Sequence, residues 1–206
     1  MHLSTLLLST LPLALSHPNH APFEPSPPPT ETTTPSLSLE FTSDTAFTTA
    51  LLNSTNTFRR AHNAPAVVYN TTLSAFAASY LDTTNPACAF RHSGGPYGEN
   101  IALGCADARG CVELWGEERG AYDFGAPGFA DGTGHFTQLV WKATTDVGCA
   151  RRWCGDTRGW FLVCEYWPRG NVLGLFGEQV QAAESGVGRR EGVWWLGLLV
   201  WLVVWF

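Results

Sequence analysis

The sequence predicts an α+β domain in which helices cover a small, mostly antiparallel sheet held by three disulfides. Three observations predict it. Helical periodicity comes early, over residues 44–61 and 72–81. Segments of high β-propensity come late, over 146–152 and 159–166, on either side of the turn-forming run Gly155-Asp-Thr-Arg-Gly159. Six cysteines lie between Cys88 and Cys164. Helices first and a hairpin last favour segregated α and β layers over alternating βαβ units.

Residues 1–16 read as a signal peptide. The run from Leu3 to Leu15 is apolar, and small residues, Ala14 and Ser16, follow its core. A buried N-terminal helix is the competing reading, and Pro12 inside the run speaks against it. Residues 17–40 read as a spacer. Seven of the thirteen prolines lie between Pro18 and Pro35, among Thr30, Thr32, Thr33 and Thr34. Such a stretch stays extended and solvated and offers sites for O-glycans. The folded part is assigned to 41–175, roughly 130 to 140 residues, the size of a single domain.

Within it, the first helix is predicted over 44–61, with Phe47, Leu51, Ser54, Phe58 and Ala61 on one stripe, Asp44 as N-cap and Pro65 beyond its end. A short extended piece, 66–69, follows. Leu73, Phe76, Ala77, Tyr80 and Leu81 then recur at the spacing of one helix face. Residues 98–103 are a strand candidate. A third helix is expected over 107–122, with Cys111, Leu114, Trp115 and Glu118 on one face, and a short helical turn over 136–142.

After the hairpin, residues 176–192 read as a polar linker and 193–206, VWWLGLLVWLVVWF, as an apolar tail. Fourteen helical residues reach about 21 Å, short of a bilayer core of roughly 30 Å. Small residues (Ala182, Ala183, Ser185, Gly186), a polar spacer and a short apolar tail form the pattern of a GPI-attachment signal, with Ala183 and Ser185 equally suited as the attachment residue. A short tail-anchoring helix and a tail without a targeting role are the alternatives.

An even cysteine count behind a signal peptide implies disulfides, for which six cysteines allow 15 connectivities. The Cys149-x4-Cys154 spacing does not suit a zinc knuckle. Asn53-Ser-Thr and Asn70-Thr-Thr are N-glycan sequons. The chain is mildly acidic, net −6 at pH 7, and has no basic stripe, which argues against a nucleic-acid partner.

Four stretches carry a resemblance: His92-Ser-Gly-Gly-Pro-Tyr-Gly-Glu-Asn100, Trp115-Gly-Glu-Glu118, Gly134-His-Phe-Thr-Gln-Leu-Val-Trp141, and Val147-Gly-Cys149 with Val163-Cys-Glu-Tyr166. In this order and at these intervals the chain resembles the CAP superfamily (SCP domain) of cysteine-rich secretory proteins, venom antigen 5 and plant pathogenesis-related proteins, over about residues 44–172. It is most similar to fungal secreted members that bind sterols. The resemblance implies an α-β-α sandwich, bridges Cys88–Cys154, Cys149–Cys164 and Cys105–Cys111, and a cleft lined by His92, Glu99, Glu118 and His135. Two imidazoles and a carboxylate can hold Zn²⁺ or another divalent cation with water in the open position, and Glu with His can exchange protons. A hydrogen-bonded cluster tying helices to sheet is the plainer reading of the same four residues. The His that the family often has in its first helix is lost here, at Thr55. His62, three residues after Arg59, belongs to the end of the first helix and not to the cleft.

Tyr122-Asp-Phe-Gly-Ala-Pro-Gly-Phe129 holds three aromatics in a Gly/Pro-rich stretch. Aromatics on a loop can close over a flat lipid, and in the sterol-binding relatives this loop is the sterol site. Tyr122, Phe124, Pro127 and Phe129 are therefore the candidate ligand residues. Alternatively, Tyr122 and Phe124 finish the core under the third helix. No Ser or Cys sits in a catalytic motif. The sequence is thus read as a monomeric, secreted or GPI-anchored, non-enzymatic binder of a sterol or other small lipid, at the membrane or cell wall. A metal-dependent hydrolase using the His/Glu cleft and a surface interaction protein are the alternatives.

Overall fold

The structure, a computed structural model, describes residues 38–183. The signal, nearly all of the spacer and the apolar tail lie outside the described residues. Helix α1 (Leu39–Thr42) is capped by Ser38, and α2 (Asp44–Ala61) by Ser43, whose hydroxyl accepts from Ala46 N–H at 3.4 Å. Asp44, read as the cap, is instead the first helical residue. Its carboxylate sits at the positive end of the helix and pairs with Arg151 at 2.8 Å.

The remaining elements are β1 (Val68–Tyr69), α3 (Thr71–Ser79), β2 (Gly98–Cys105), α4 (Ala108–Glu117), α5 (Gly134–Leu139), β3 (Asp146–Trp153), β4 (Trp160–Trp167) and α6 (Phe176–Gln179). A π-helical turn, Tyr80–Thr84, extends α3, and a 3-10 turn, Glu118–Ala121, extends α4. Inward positions on α4 are Ala108, Cys111, Val112 and Trp115. Leu114, read onto that face, is turned about 100° from Trp115 and is 64% exposed.

The sheet order is β1-β3-β4-β2, with β1 parallel to β3 and the other two pairings antiparallel. A core lies on each face. Leu162, Cys164 and Tyr166 of β4 point into the larger one, with Phe47, Leu51, Trp115, Phe136 and Trp141. Phe161 and Val163 point into the smaller one, with Ala77, Tyr80 and Leu81. The result is an α-β-α sandwich. Because β4 is covered on both faces, it has no polar alternation, as in other doubly covered strands.

Disulfides join Cys149 to Cys164 at directly opposed hairpin positions, Cys88 to Cys154, and Cys105 to Cys111. Arg59 staples the larger layer without an acidic partner among the described residues. It is fully buried, and it donates to the carbonyls of Pro65, Leu139, Trp141 and Thr144 at 2.7–3.0 Å. Packing continues beyond residue 175: Phe176 meets Trp141 edge-on at 5.2 Å, and Val180 is buried beside it. Among the described residues no helix is long and apolar enough to cross a membrane.

Candidate functional site

His92 lies in the segment leading into β2. The Cys88–Cys154 bridge pins that segment, as does the Tyr80 hydroxyl, which donates to Arg91 O at 2.6 Å. Glu99 is the second residue of β2. Its Oε1 meets His92 Nδ1 at 2.5 Å, and both its oxygens accept from Ser93 N–H, at 3.0 and 3.2 Å. Hydrogen bonding to Glu99 raises the His92 pKa above that of a free imidazole, against burial.

The second pair forms where α4 runs out. Glu118 Oε1 meets His135 Nδ1 at 2.6 Å, while its Oε2 accepts from His135 N–H and Phe136 N–H at 3.0 and 3.1 Å. Thr133, at the N-cap of α5, makes no side-chain cap bond. Glu118 therefore does that work from another element and holds His135 with the same carboxylate. Asn100 of β2 closes the frame, donating to His135 O at 3.0 Å.

These residues border a cleft of about 470 Å³ along β2, one of the two edge strands. His92, Glu99 and His135 line it; Glu118 stands behind His135 and does not. Arg169 and Asp131 also line it, and neither was singled out from sequence.

Glu165 was also missed as a site residue. It stands opposite Glu99 in the β2–β4 register and is fully buried, and neither of its oxygens has a donor partner among the described residues. Burial first, and the Glu99 charge second, push its pKa up to about 9. It is thus a carboxylic acid at neutral pH, set opposite the Glu99 carboxylate. Burial pushes Glu99 upward too, but the bonds from His92, Ser93 and Glu165 outweigh it and hold that carboxyl below the usual range. The signal for Glu165 was an acid in mid-strand within an otherwise apolar run.

As a metal centre the arrangement falls short of three ligands. Both Nδ1 atoms are committed to carboxylates, which leaves two imidazole Nε2 atoms, whereas a catalytic zinc takes three protein ligands. No group of three or more His, Cys, Asp or Glu side chains is gathered to hold a metal among the described residues.

The aromatic loop, residues 122–132, divides in its contacts. Tyr122 is buried and Phe124 half-buried; each packs on Phe136, at 5.7 and 6.1 Å between centroids. Pro127 lies against Gly177. Phe129 is 51% exposed and lines the cleft. Hydrogen bonds of residues 123–132 are all local: Ala126 N–H to Asp123 O, Gly125 N–H to Asp123 Oδ1, and Thr133 to Ala130 O. None reaches another element among the described residues, so side-chain packing fastens the loop to the rest of the domain.

His62 caps α2 and borders the loop, with its ring parallel to Phe124. Of the sequon residues, Asn53 is exposed on α2, in a groove facing α4. Asn70 is half-buried as the cap of α3, accepting from Thr72 and Leu73 N–H and donating to Asp146 at 3.0 Å.

The profile of the cysteine-rich secretory protein (CAP) family matches residues 52–166. Among curated proteins, the chain is 42% identical over 135 residues to Protein PRY2 of Saccharomyces cerevisiae, covering 65% of this chain and 41% of that protein. It is 41% identical over 136 residues to "Repressed by EFG1 protein 1" of Candida albicans, covering 65% and 50%. It thus spans about half the length of these relatives. Among solved structures, NaASP2 with Zn2+ superposes with a TM-score of 0.52 at 21% identity, over 71% of this chain and 87% of that one. At that identity the likeness is one of fold.

Proposed function

The chain belongs to the CAP family of cysteine-rich secretory proteins, and on that premise we propose that it is an extracellular, non-enzymatic protein that binds a small lipid, a sterol, beneath the loop of residues 122–132. The observation that carries this reading is the loop's attachment. Tyr122 and Phe124 cover Phe136 and His62, and no hydrogen bond ties residues 123–132 to another element among the described residues. A segment held by side-chain packing alone opens at low free-energy cost relative to the fold around it. Once lifted, it exposes an aromatic floor and offers its own rings as a cover. A flat apolar ligand replaces the ring contacts it displaces. Phe129, already exposed at the cleft, makes first contact. The similarity of the sequence to fungal sterol-binding members supports the choice of ligand.

The test is binding of radiolabelled cholesterol by the secreted protein. Saturable binding is expected, weakened several-fold by F129A, which removes only an exposed ring, and abolished by Y122A/F124A. A folded, fully bridged protein that binds no sterol overturns the reading. The export and anchoring parts of the proposal rest on residues 1–16 and 193–206. Release from cell membranes by a phosphatidylinositol-specific phospholipase is the expected result, and a mature chain that retains residues 193–206 overturns the anchor.

A second reading uses the His/Glu cleft as a metal-dependent hydrolase. The observation in its favour is that His92 and His135 are each oriented through Nδ1 by a carboxylate, the usual support of a ligating histidine, in a fold shared with NaASP2, which was solved with Zn2+. Zinc-dependent turnover of a peptide panel, lost in E99Q, would favour it; no turnover across the panel sinks it.

A further inference from the structure

Beneath the loop lie two buried polar atoms without partners. His62 is 1% exposed, and its Nδ1 lies 2.7 Å from Gln181 O. A carbonyl only accepts, so Nδ1 carries the proton, and Nε2 of the neutral ring is left as a bare acceptor. That Nε2 is buried and has no hydrogen-bond partner among the described residues. Burial also lowers the pKa of this imidazole, against the opposing effect of Gln181 O, which keeps the ring neutral.

The ring is parallel to Phe124, with centroids 6.0 Å apart, and edge-on to Phe136 at 4.9 Å. Tyr122 packs on the same two rings, at 4.9 and 5.7 Å. Its hydroxyl is buried too, with the Gly128 backbone beside it but outside hydrogen-bonding geometry. Buried polar atoms without partners are rare because they give up water for nothing. The other such side-chain atoms among the described residues, on Asn100, Trp160, Glu165 and Tyr166, belong to strands β2 and β4. These two alone sit among the rings that the loop covers.

We propose that His62 Nε2 is the polar anchor of the lipid site, accepting the hydroxyl proton of a lipid alcohol whose apolar body takes the position of the Phe124 ring when the loop lifts. This rests on the lipid-binding reading of the loop. Its chemistry is selective. A neutral imidazole lone pair accepts from an alcohol, gains nothing from a hydrocarbon and repels a carboxylate. A rigid apolar body with one terminal hydroxyl satisfies the orphan acceptor and keeps the rest of the floor dry.

The experiment compares cholesterol with cholestane, the same ring system without the hydroxyl, as ligands of the secreted protein and of H62F, H62Q and Y122F. The wild type is expected to prefer cholesterol by about tenfold, the size of one buried hydrogen bond. H62F binds both within about twofold. H62Q, whose amide oxygen still accepts, retains part of the preference, and Y122F retains it fully. Equal binding of the two ligands by the wild type overturns the anchor and leaves the lipid-binding reading standing; binding of neither overturns both. A preference kept in H62F and lost in Y122F overturns the assignment to His62. Where H62F fails to fold by circular dichroism, a full preference surviving in a folded H62L overturns it equally.

Discussion

Glu165 is the side chain whose chemistry is least like its sequence context. It stands in a doubly covered strand, faces Glu99, and carries its proton up to a pH of about 9. The folded pKa lies above the unfolded value of 4.5. The fold therefore holds a proton that the unfolded chain releases, and the stability tied to it is complete at acid pH and fades as pH rises from about 4.5 toward 9. His92, also raised, adds a loss of the same sign above its unfolded pKa. E165Q keeps a donor toward Glu99 but cannot ionise. Thermal unfolding should give similar midpoints for wild type and E165Q near pH 5 and a higher midpoint for E165Q near pH 8. Parallel midpoints across that range would show that Glu165 is not protonated in the fold. Arg59 argues the same point with a different group. Its planar fork satisfies four carbonyls, and Lys, with three donors on a point charge, cannot reproduce it. R59K is expected to lose about 3 kcal/mol or more of stability in urea unfolding, from carbonyls left buried without donors.

Helices and strands here depend on one another for their ends. Glu118, at the end of α4, accepts from the first-turn amides of α5, and Asn70 caps α3 while holding Asp146 of β3. Gly148 shows how tightly α3 sits on β3: a Cβ there would run into Asn70 O and Ser74 N, both backbone atoms. Neither can yield without moving the start of α3. G148A is therefore expected to cost about 2–3 kcal/mol, read as a lower denaturation midpoint with an unchanged slope. A loss under about 0.5 kcal/mol would mean that α3 shifts freely. The elements themselves, though not these contacts, were legible as pattern. The stripes of α2 and α3 and the hairpin with its turn follow from local periodicity. Glu118 as a cap was not, because its partners lie on α5, 17 and 18 residues away.

The domain as a whole is closed by cross-links of unequal reach. Cys88–Cys154 spans 66 residues and joins the segment carrying His92 to the end of β3, while Cys105–Cys111 spans 6. Loop-closure entropy assigns about 4 kcal/mol to the first and about 2 kcal/mol to the second. C88A/C154A should thus lower the unfolding midpoint more than C105A/C111A, and it should also loosen His92, seen as faster amide exchange across residues 88–97. Equal losses from the two pairs would refute the ranking. Cleft and loop share one face of the molecule through Phe129, which belongs to both.

Composition and periodicity were enough for the α+β class and for the main helices and the hairpin, while the His and Glu residues that meet in pairs followed from the motifs' resemblance to the CAP family. Those features are written in neighbours along the chain or in short motifs. The same means left the aromatic loop with two readings, cover or core, and did not mark Glu165 or the unpartnered nitrogen of His62. Burial and partnership are properties of packing, set by residues up to 119 positions apart, as between His62 and Gln181. A side chain's ordinary preference for water says nothing of whether the fold will supply a substitute.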